Sequence, residues 1–147
     1  MRTSEPQRQN DMNFFSPEMT EKEINGISML GLAHIGDGVY ELVIRSKLCM
    51  DGHQSVGELH KLAVSYVNAP AQARAAEKIR PLLTEEELAV YRRGRNAHVN
   101  SVPQHATLGE YHAATGVEAL MGWLYLLGRK DRINELFTII IGENDAT

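Results

Sequence analysis

The sequence is poor in cysteine, in aromatic residues and in long apolar runs. A single cysteine, Cys49, excludes an internal disulfide and a cysteine-rich zinc site, and it fits a reducing cytoplasm. No apolar run approaches the roughly 20 residues that a membrane-spanning helix needs. Residues 1–12 are polar and lack the apolar core of a secretory signal. HExxH, CxxC and glycine-rich phosphate-loop motifs are missing as well. We therefore expect a cytoplasmic protein without a membrane span.

Charge is unevenly distributed in this acidic chain. The net charge of −4 argues against a non-specific nucleic-acid-binding protein, which would be basic overall. Three glutamates at 85–87 nevertheless begin a predicted helix that ends in a compact basic cluster, formed by Arg92, Arg93 and Arg95. Composition alone therefore leaves the partner open.

Hydrophobic periodicity and capping signals predict an all-α fold of one domain. The 147 residues suffice for a single core, and we expect a mobile tail at 1–15, a domain at 16–141 and a C-terminal tail at 142–147. The pattern predicts a helix start at Ser16 and Pro17, then helices of about 28–47, 55–66, 68–80, 84–98, 107–127 and 130–141. Capping boxes, with Ser or Thr three residues before Glu, are predicted at 55–58, 84–87 and 107–110.

Two acidic residues lie inside apolar helical patterns. Asp37 is flanked by Gly36 and Gly38, and it shares one face of the helix at 28–47 with Glu41. Glu118 lies in the apolar helix predicted at 107–127. An unpaired buried carboxylate is very costly, so each acid must be hydrated, paired or bound to a metal.

Small residues surround both acids and predict that their helices cross closely. Glycines at 31, 36 and 38 weaken the first helix by about 1 kcal/mol each relative to alanine, which suggests that another backbone approaches them. The second helix has Gly116, Ala119 and Gly122. If the helices cross there, Asp37 and Glu118 face one space, and two carboxylates with added water suit Mg²⁺. The alternative is that each acid forms a structural ion pair or a helix-surface contact.

The end of the basic helix suits a phosphate group. Arg95, Asn96 and His98 have no acid within a helical turn downstream. Unpaired guanidinium groups bind phosphate in bidentate fashion, and we expect this of Arg95. For Arg92 and Arg93 the alternative is a solvated helix face that pairs with the upstream glutamates.

The histidines do not indicate a zinc site. Those at 98, 105 and 112 are evenly spaced, but Pro103 interrupts any helix that could align them. His34, beside Asp37 on the apolar helix, is predicted to be a hydrogen-bonded core histidine.

Three segments, in order, resemble the catalytic domain of the ribonuclease III family. Residues 32–42, LAHIGDGVYEL, resemble its signature helix, and residues 93–97, RGRNA, and 117–126, VEALMGWLYL, resemble two further motifs. The resemblance covers about residues 24–141. It is closest to Mini-ribonuclease III, the bacterial branch that consists of the nuclease domain without a double-stranded-RNA-binding domain.

The resemblance implies an all-helical homodimer that hydrolyses double-stranded RNA with Mg²⁺ and leaves a 5′-phosphate and a 3′-hydroxyl. The branch characteristically trims the precursor of 23S ribosomal RNA, and the acidity of this chain suggests a ribosomal protein as a further partner. By position, Asp37 and Glu118 become the catalytic and metal-binding residues. RNA contacts are expected from Arg92, Arg93, Arg95, Asn96 and His98.

Two positions depart from the pattern of the family. Long-form enzymes have four carboxylates around the site, and two of those places here hold Ala33 and Thr115, neither of which can be a carboxylate ligand. We therefore expect one magnesium ion held by Asp37 and Glu118, with water and RNA phosphate completing its shell. The alternative functions are a non-catalytic RNA-binding ribosome-assembly factor on the same fold and a helical adaptor. A requirement for Mg²⁺ separates a nuclease from both.

Overall fold

The computed structural model describes residues 13–53, 55–97 and 106–145, and every regular element within these ranges is a helix. The elements are α1 (Glu21–Ile24), α2 (Met29–Met50), α3 (Val56–Val67), α4 (Ala69–Ile79), a 3₁₀ turn (Arg80–Leu82), α5 (Glu85–Arg95), α6 (Leu108–Leu126) and α7 (Lys130–Asp145). The predicted all-α class is confirmed. None of the described helices is long and apolar enough to cross a membrane.

The first helix begins later than predicted. It starts after Thr20, whose side chain accepts a hydrogen bond from the Glu23 amide while the Glu23 carboxylate accepts one from the Thr20 amide. This reciprocal capping box satisfies two amides that a helix start leaves unpaired. The predicted cap, Ser16, instead accepts a hydrogen bond from Nζ of Lys130 at 2.7 Å. The prediction of a helix start at Ser16 is therefore wrong.

Other helix ends differ in detail from the predictions, and α2 continues to Met50 rather than ending near residue 47. The capping box at Ser55 is half formed, because the Glu58 carboxylate contacts Nδ1 of His53 at 3.2 Å rather than the Ser55 amide. Helix α5 ends at Arg95, since Asn96 leaves helical geometry with φ −91° and ψ 2°. Helix α7 continues to Asp145, so residues 142–145, predicted as tail, are helical.

Helix α6 is the centre of the fold. Helices α2, α4, α5 and α7 all pack against it, and it is therefore buried on almost every side. Helix α7 contributes the apolar stripe that includes Leu136 and Phe137. The Phe137 ring packs edge-on against the buried Tyr40 of α2, with ring centroids 4.8 Å apart.

Helices α2 and α6 cross with their backbones in direct contact. A Cβ atom on Gly36 would lie 1.6 Å from the carbonyl oxygen of Glu118, and one on Gly122 would lie 2.0 Å from that of Leu32. No other residue type fits at either position. A Cβ at position 31 would meet only the preceding turn of its own chain, and one at position 38 would meet nothing within 4 Å. The predicted close approach is confirmed at Gly36 and Gly122 and is wrong for Gly31 and Gly38.

A second glycine contact holds α5 against α6. A Cβ atom on Gly94 would lie 2.6 Å from that of Ala119, and Gly116 packs just as closely under α5. Arg95 follows Gly94, and Glu118 precedes Ala119. Because successive Cα atoms are 3.8 Å apart, the Cα atoms of Arg95 and Glu118 lie within about 13 Å of each other. The basic end of α5 and the acid of α6 are therefore held at a fixed separation.

Candidate metal site and basic cluster

Asp37 of α2 and Glu118 of α6 meet where their helices cross. Their carboxyl groups are close enough for Asp37 to raise the pKa of Glu118. The backbone contact at Gly36, next to Asp37, sets how closely the two acids approach. Asp37 is exposed and Glu118 is half-buried, so solvent reaches the pair from the side of α2. The structure thus brings together the two acids that the sequence singled out.

Proximity and burial determine the ionisation of this carboxylate pair. The pKa of Glu118 is raised to about 8, chiefly by burial and then by the Asp37 carboxylate, with a smaller effect of Glu41 in the same direction and of Gln72 in the opposite one. Burial also raises the pKa of the Tyr40 hydroxyl, and Glu118 adds to that rise. Two carboxylates this close share a proton unless a cation compensates their charge.

The donor set fits a hard divalent cation. Asp37 and Glu118 offer oxygen ligands only, and Mg²⁺ is commonly bound through one or two carboxylates together with water and phosphate oxygens. The described ranges contain no group of three or more His, Cys, Asp or Glu residues that could hold a metal ion by themselves. Ala33 is buried, and the Thr115 hydroxyl donates to the Tyr111 carbonyl at 3.0 Å. Water and phosphate would therefore have to complete the shell.

The basic cluster lies at the C-terminal end of α5. Arg92, Arg93 and the cap residue Asn96 are exposed, and Arg95 is half-buried. The Arg95 guanidinium carbon lies 5.8 Å from the ring centre of Tyr91. None of the three arginines forms an ion pair with another described residue. The remaining predicted contact, at position 98, lies outside the described residues.

The glutamates at the start of α5 pair elsewhere. Glu86 forms an ion pair of 3.2 Å with Arg129, the residue that precedes α7. The buried Glu87 accepts two hydrogen bonds from Arg132, each of 2.9 Å. Burial opposes ionisation of Glu87, but the hydrogen bonds from Arg132 and from the Thr84 backbone outweigh it and lower its pKa. The alternative in which upstream glutamates neutralise the basic cluster is therefore wrong, and its guanidinium groups are available to a phosphate.

The structure adds two residues to the site and corrects the predicted placement of a third, His34. Arg80 joins the basic cluster, because its guanidinium carbon also lies 5.8 Å from the Tyr91 ring centre. Gln72 is buried beside Glu118. Its signal was a polar residue on the apolar stripe of α4, at 72, 75, 76 and 79, whereas nothing in the pattern marked Arg80. His34 is exposed, so its prediction as a core histidine is wrong: the buried stripe of α2 runs through 32, 33, 36, 40, 44 and 48 and leaves position 34 outside.

The chain shares its sequence pattern with known ribonucleases. The model of the ribonuclease III domain matches residues 30–129. The chain is 42% identical over 123 residues to Mini-ribonuclease 3 of Thermoanaerobacter sp. (strain X514), which covers 84% of this chain and 87% of that protein. It is 46% identical over 107 residues to Mini-ribonuclease 3 of Symbiobacterium thermophilum, which covers 73% of this chain and 82% of that protein.

A solved structure shows the same fold. An X-ray crystal structure of a protein from Fusobacterium nucleatum matches with a TM-score of 0.72 and 34% sequence identity, over 78% of this chain and 87% of that one. The matched domain includes the crossing of α2 and α6 and the whole of α5. The carboxylate pair and the basic cluster thus lie inside the shared region, and the chain belongs to the ribonuclease III family, in the branch of its Mini-ribonuclease 3 relatives.

Proposed function

We propose that this double-strand-specific endoribonuclease hydrolyses phosphodiesters with Mg²⁺ held by Asp37 and Glu118, and that it leaves a 5′-phosphate and a 3′-hydroxyl. Its family supports the activity on double-stranded RNA. The observation that supports the site is the carboxylate pair at the helix crossing, where Asp37 raises the pKa of Glu118. A purely structural role would not require an exposed acid to be held against a half-buried one whose pKa is raised.

The two acids have different roles at the proposed metal site. When bound, Mg²⁺ lowers the pKa of a coordinated water and stabilises charge on the phosphoryl oxygens. Glu118 supplies the ligand whose position is fixed, because its backbone is packed against Gly36. Asp37 supplies the ligand that faces solvent and the RNA. The rigid spacing of α5 and α6 then sets where the bound phosphates lie relative to the pair.

RNA contacts are assigned to the exposed end of α5. Arg92, Arg93, Arg95 and Asn96 offer guanidinium and amide donors to phosphates, and His98 is assigned on the sequence alone. A-form RNA is recognised mostly through its shape, phosphates and 2′-hydroxyls, so these contacts give little sequence preference. The net charge of −4 favours weak intrinsic binding. The resemblance to the Mini-ribonuclease III branch leads us to propose the 23S ribosomal RNA precursor as the natural substrate. Because intrinsic binding is weak, we propose that a ribosomal protein assists its recognition in the cytoplasm.

An apolar groove supports the homodimer that the family implies. A cavity of about 310 Å³ lies between α2 and α3 and is lined largely by aliphatic side chains, among them Leu48, Leu59 and Val64. Leu42 and Met50, on the same helix α2, are exposed. We propose that a second copy of the domain, residues 16–141, covers this surface. Light scattering of the wild type and of Val64→Asp tests this, because a charge at the groove should convert a dimer into a monomer.

The catalytic assignment is tested with labelled double-stranded RNA, with and without Mg²⁺. Asp37→Asn should reduce cleavage at least about 1,000-fold, since it weakens a metal ligand while keeping the shape of the side chain. Asp51→Asn is the matched control, because it makes the same charge change at the C-cap of the same helix, where Asp51 pairs with Lys47. Cleavage that persists in Asp37→Asn would remove Asp37 from the site. RNA that is bound but not cut by the wild type, even as ribosomal precursor, would favour the assembly factor.

A further inference from the structure

Gln72 is a buried polar residue on an otherwise apolar helix face. It lies in the first turn of α4, and only 2% of its surface is exposed. Its neighbours on the buried face of α4 are Ala75, Ala76 and Ile79, so an apolar side chain would suit the position. The Nε2 atom of Gln72 has no hydrogen-bond partner among the described residues. Buried polar atoms are nearly always paired, so an unpaired donor here calls for a reason.

The charged group next to Gln72 is Glu118. The amide is close enough to that carboxyl to lower its pKa, against the effects of burial and of Asp37. A carboxylate that binds a metal through one oxygen keeps lone pairs on the other, and Nε2–H of Gln72 can donate to them. Hydrogen-bond donors behind a ligand fix its orientation in this way at many metal sites.

We propose that Gln72 is a positioning residue: its Nε2–H group donates to the Glu118 carboxylate and orients it for the divalent cation. This inference rests on the proposed metal site. Gln72 itself contacts neither the ion nor the RNA. This role explains why a polar side chain occupies the apolar stripe of α4, and it gives the unpaired amide an acceptor.

The test measures binding of Mn²⁺ alone, without RNA, by electron paramagnetic resonance of the free ion. Mn²⁺ takes the same oxygen ligands as Mg²⁺ and can be counted directly. Gln72→Met keeps the length of the side chain and removes the amide, and it should weaken Mn²⁺ binding about 10- to 100-fold. Its thermal unfolding in EDTA should be unchanged or shifted upwards, because a buried unpaired donor has been removed. Should Gln72→Met fail to fold, Gln72→Leu serves for the same measurement.

Two controls separate the possible failures. Thr115→Val removes another buried polar group within one turn of Glu118, but its hydroxyl bonds the Tyr111 carbonyl, so Mn²⁺ affinity should stay at the wild-type value. Glu118→Gln should abolish binding. If Glu118→Gln binds Mn²⁺ normally, the metal site itself is wrong. If Glu118→Gln loses binding while folded Gln72→Met or Gln72→Leu retains the wild-type affinity, only the positioning role of Gln72 is overturned.

Discussion

Replacing Glu118 by glutamine should stabilise the metal-free protein while it abolishes cleavage. In the folded protein the pKa of Glu118 is raised to about 8, from an ordinary value of 4.5, chiefly by burial and by Asp37. The folded state therefore holds a proton that the unfolded chain releases near pH 4.5. Glutamine has almost the same shape, carries no charge at any pH and can still hydrogen-bond with Asp37. The variant thus keeps the contacts of the protonated acid and avoids the cost of ionising it.

The sign and size of the effect follow from these two pKa values. The stability that this proton contributes is fully present below the unfolded pKa of 4.5. It is lost as the pH rises to and through the folded pKa of about 8. One such group changes the free energy of unfolding by at most about 1.4 kcal/mol per pH unit within this window. Partial solvent access and relaxation reduce the total, and we expect the wild type to lose about 2 kcal/mol more than the variant between pH 5 and 8.5. For a chain of this size that corresponds to about 4–8 °C in Tm.

Thermal unfolding in EDTA between pH 5 and 8.5 measures this difference. Both proteins share all six histidines, so the titration of groups distant from Glu118 cancels when the two curves are subtracted. Wild-type Tm should fall relative to that of Glu118→Gln as the pH rises. Added Mg²⁺ should restore the wild type at pH 8 and leave the variant unchanged, because only the wild type binds it. Parallel curves without metal would refute the proposed ionisation of the pair, and with it the reasoning that a cation is needed there.

Two further predictions concern the helix crossing and the basic cluster. Gly36→Ala should lower the free energy of unfolding by about 3 kcal/mol or more in chemical denaturation, because its Cβ would lie 1.6 Å from a carbonyl oxygen. Gly38→Ala, two residues along, should instead raise it by up to about 1 kcal/mol; equal effects would contradict the crossing. Arg95→Ala should reduce the slope of log affinity against log salt for double-stranded RNA by about 0.9, as expected for one lost phosphate contact. Arg129→Ala, whose guanidinium is already paired with Glu86, should leave the slope unchanged.

Local signals in the sequence were sufficient for most of the fold. A cap such as Thr84 or Thr107 satisfies amides of its own helix, so its hydrogen bonds depend only on residues within one turn. The crossing of α2 and α6 could also be predicted, since both helices carry several small residues inside an apolar pattern. The sequence could not predict which glycines of α2 contact α6, because Gly36 and Gly38 differ only in the direction that they face.

The site was predicted where its residues carry charge and missed where tertiary packing assigns their role. Asp37 and Glu118 stood out because ionisable groups are rare in apolar helices. Arg80 reaches the basic cluster only because the fold brings the 3₁₀ turn beside Tyr91 of α5, which no spacing in the sequence expresses. His34 was misplaced because a shift of two residues on a helix rotates a side chain by about 200° away from the buried face.

The contact of Gly36 with the carbonyl of Glu118 limits how this enzyme can evolve. The atoms that pack the core are also the backbone of a proposed metal ligand, so a change that loosens the crossing alters stability and chemistry together. Adaptation to a different RNA is less constrained at the exposed end of α5, where Arg92 and Arg93 can be replaced without disturbing the interior. Libraries for altered substrate preference are best confined to that surface.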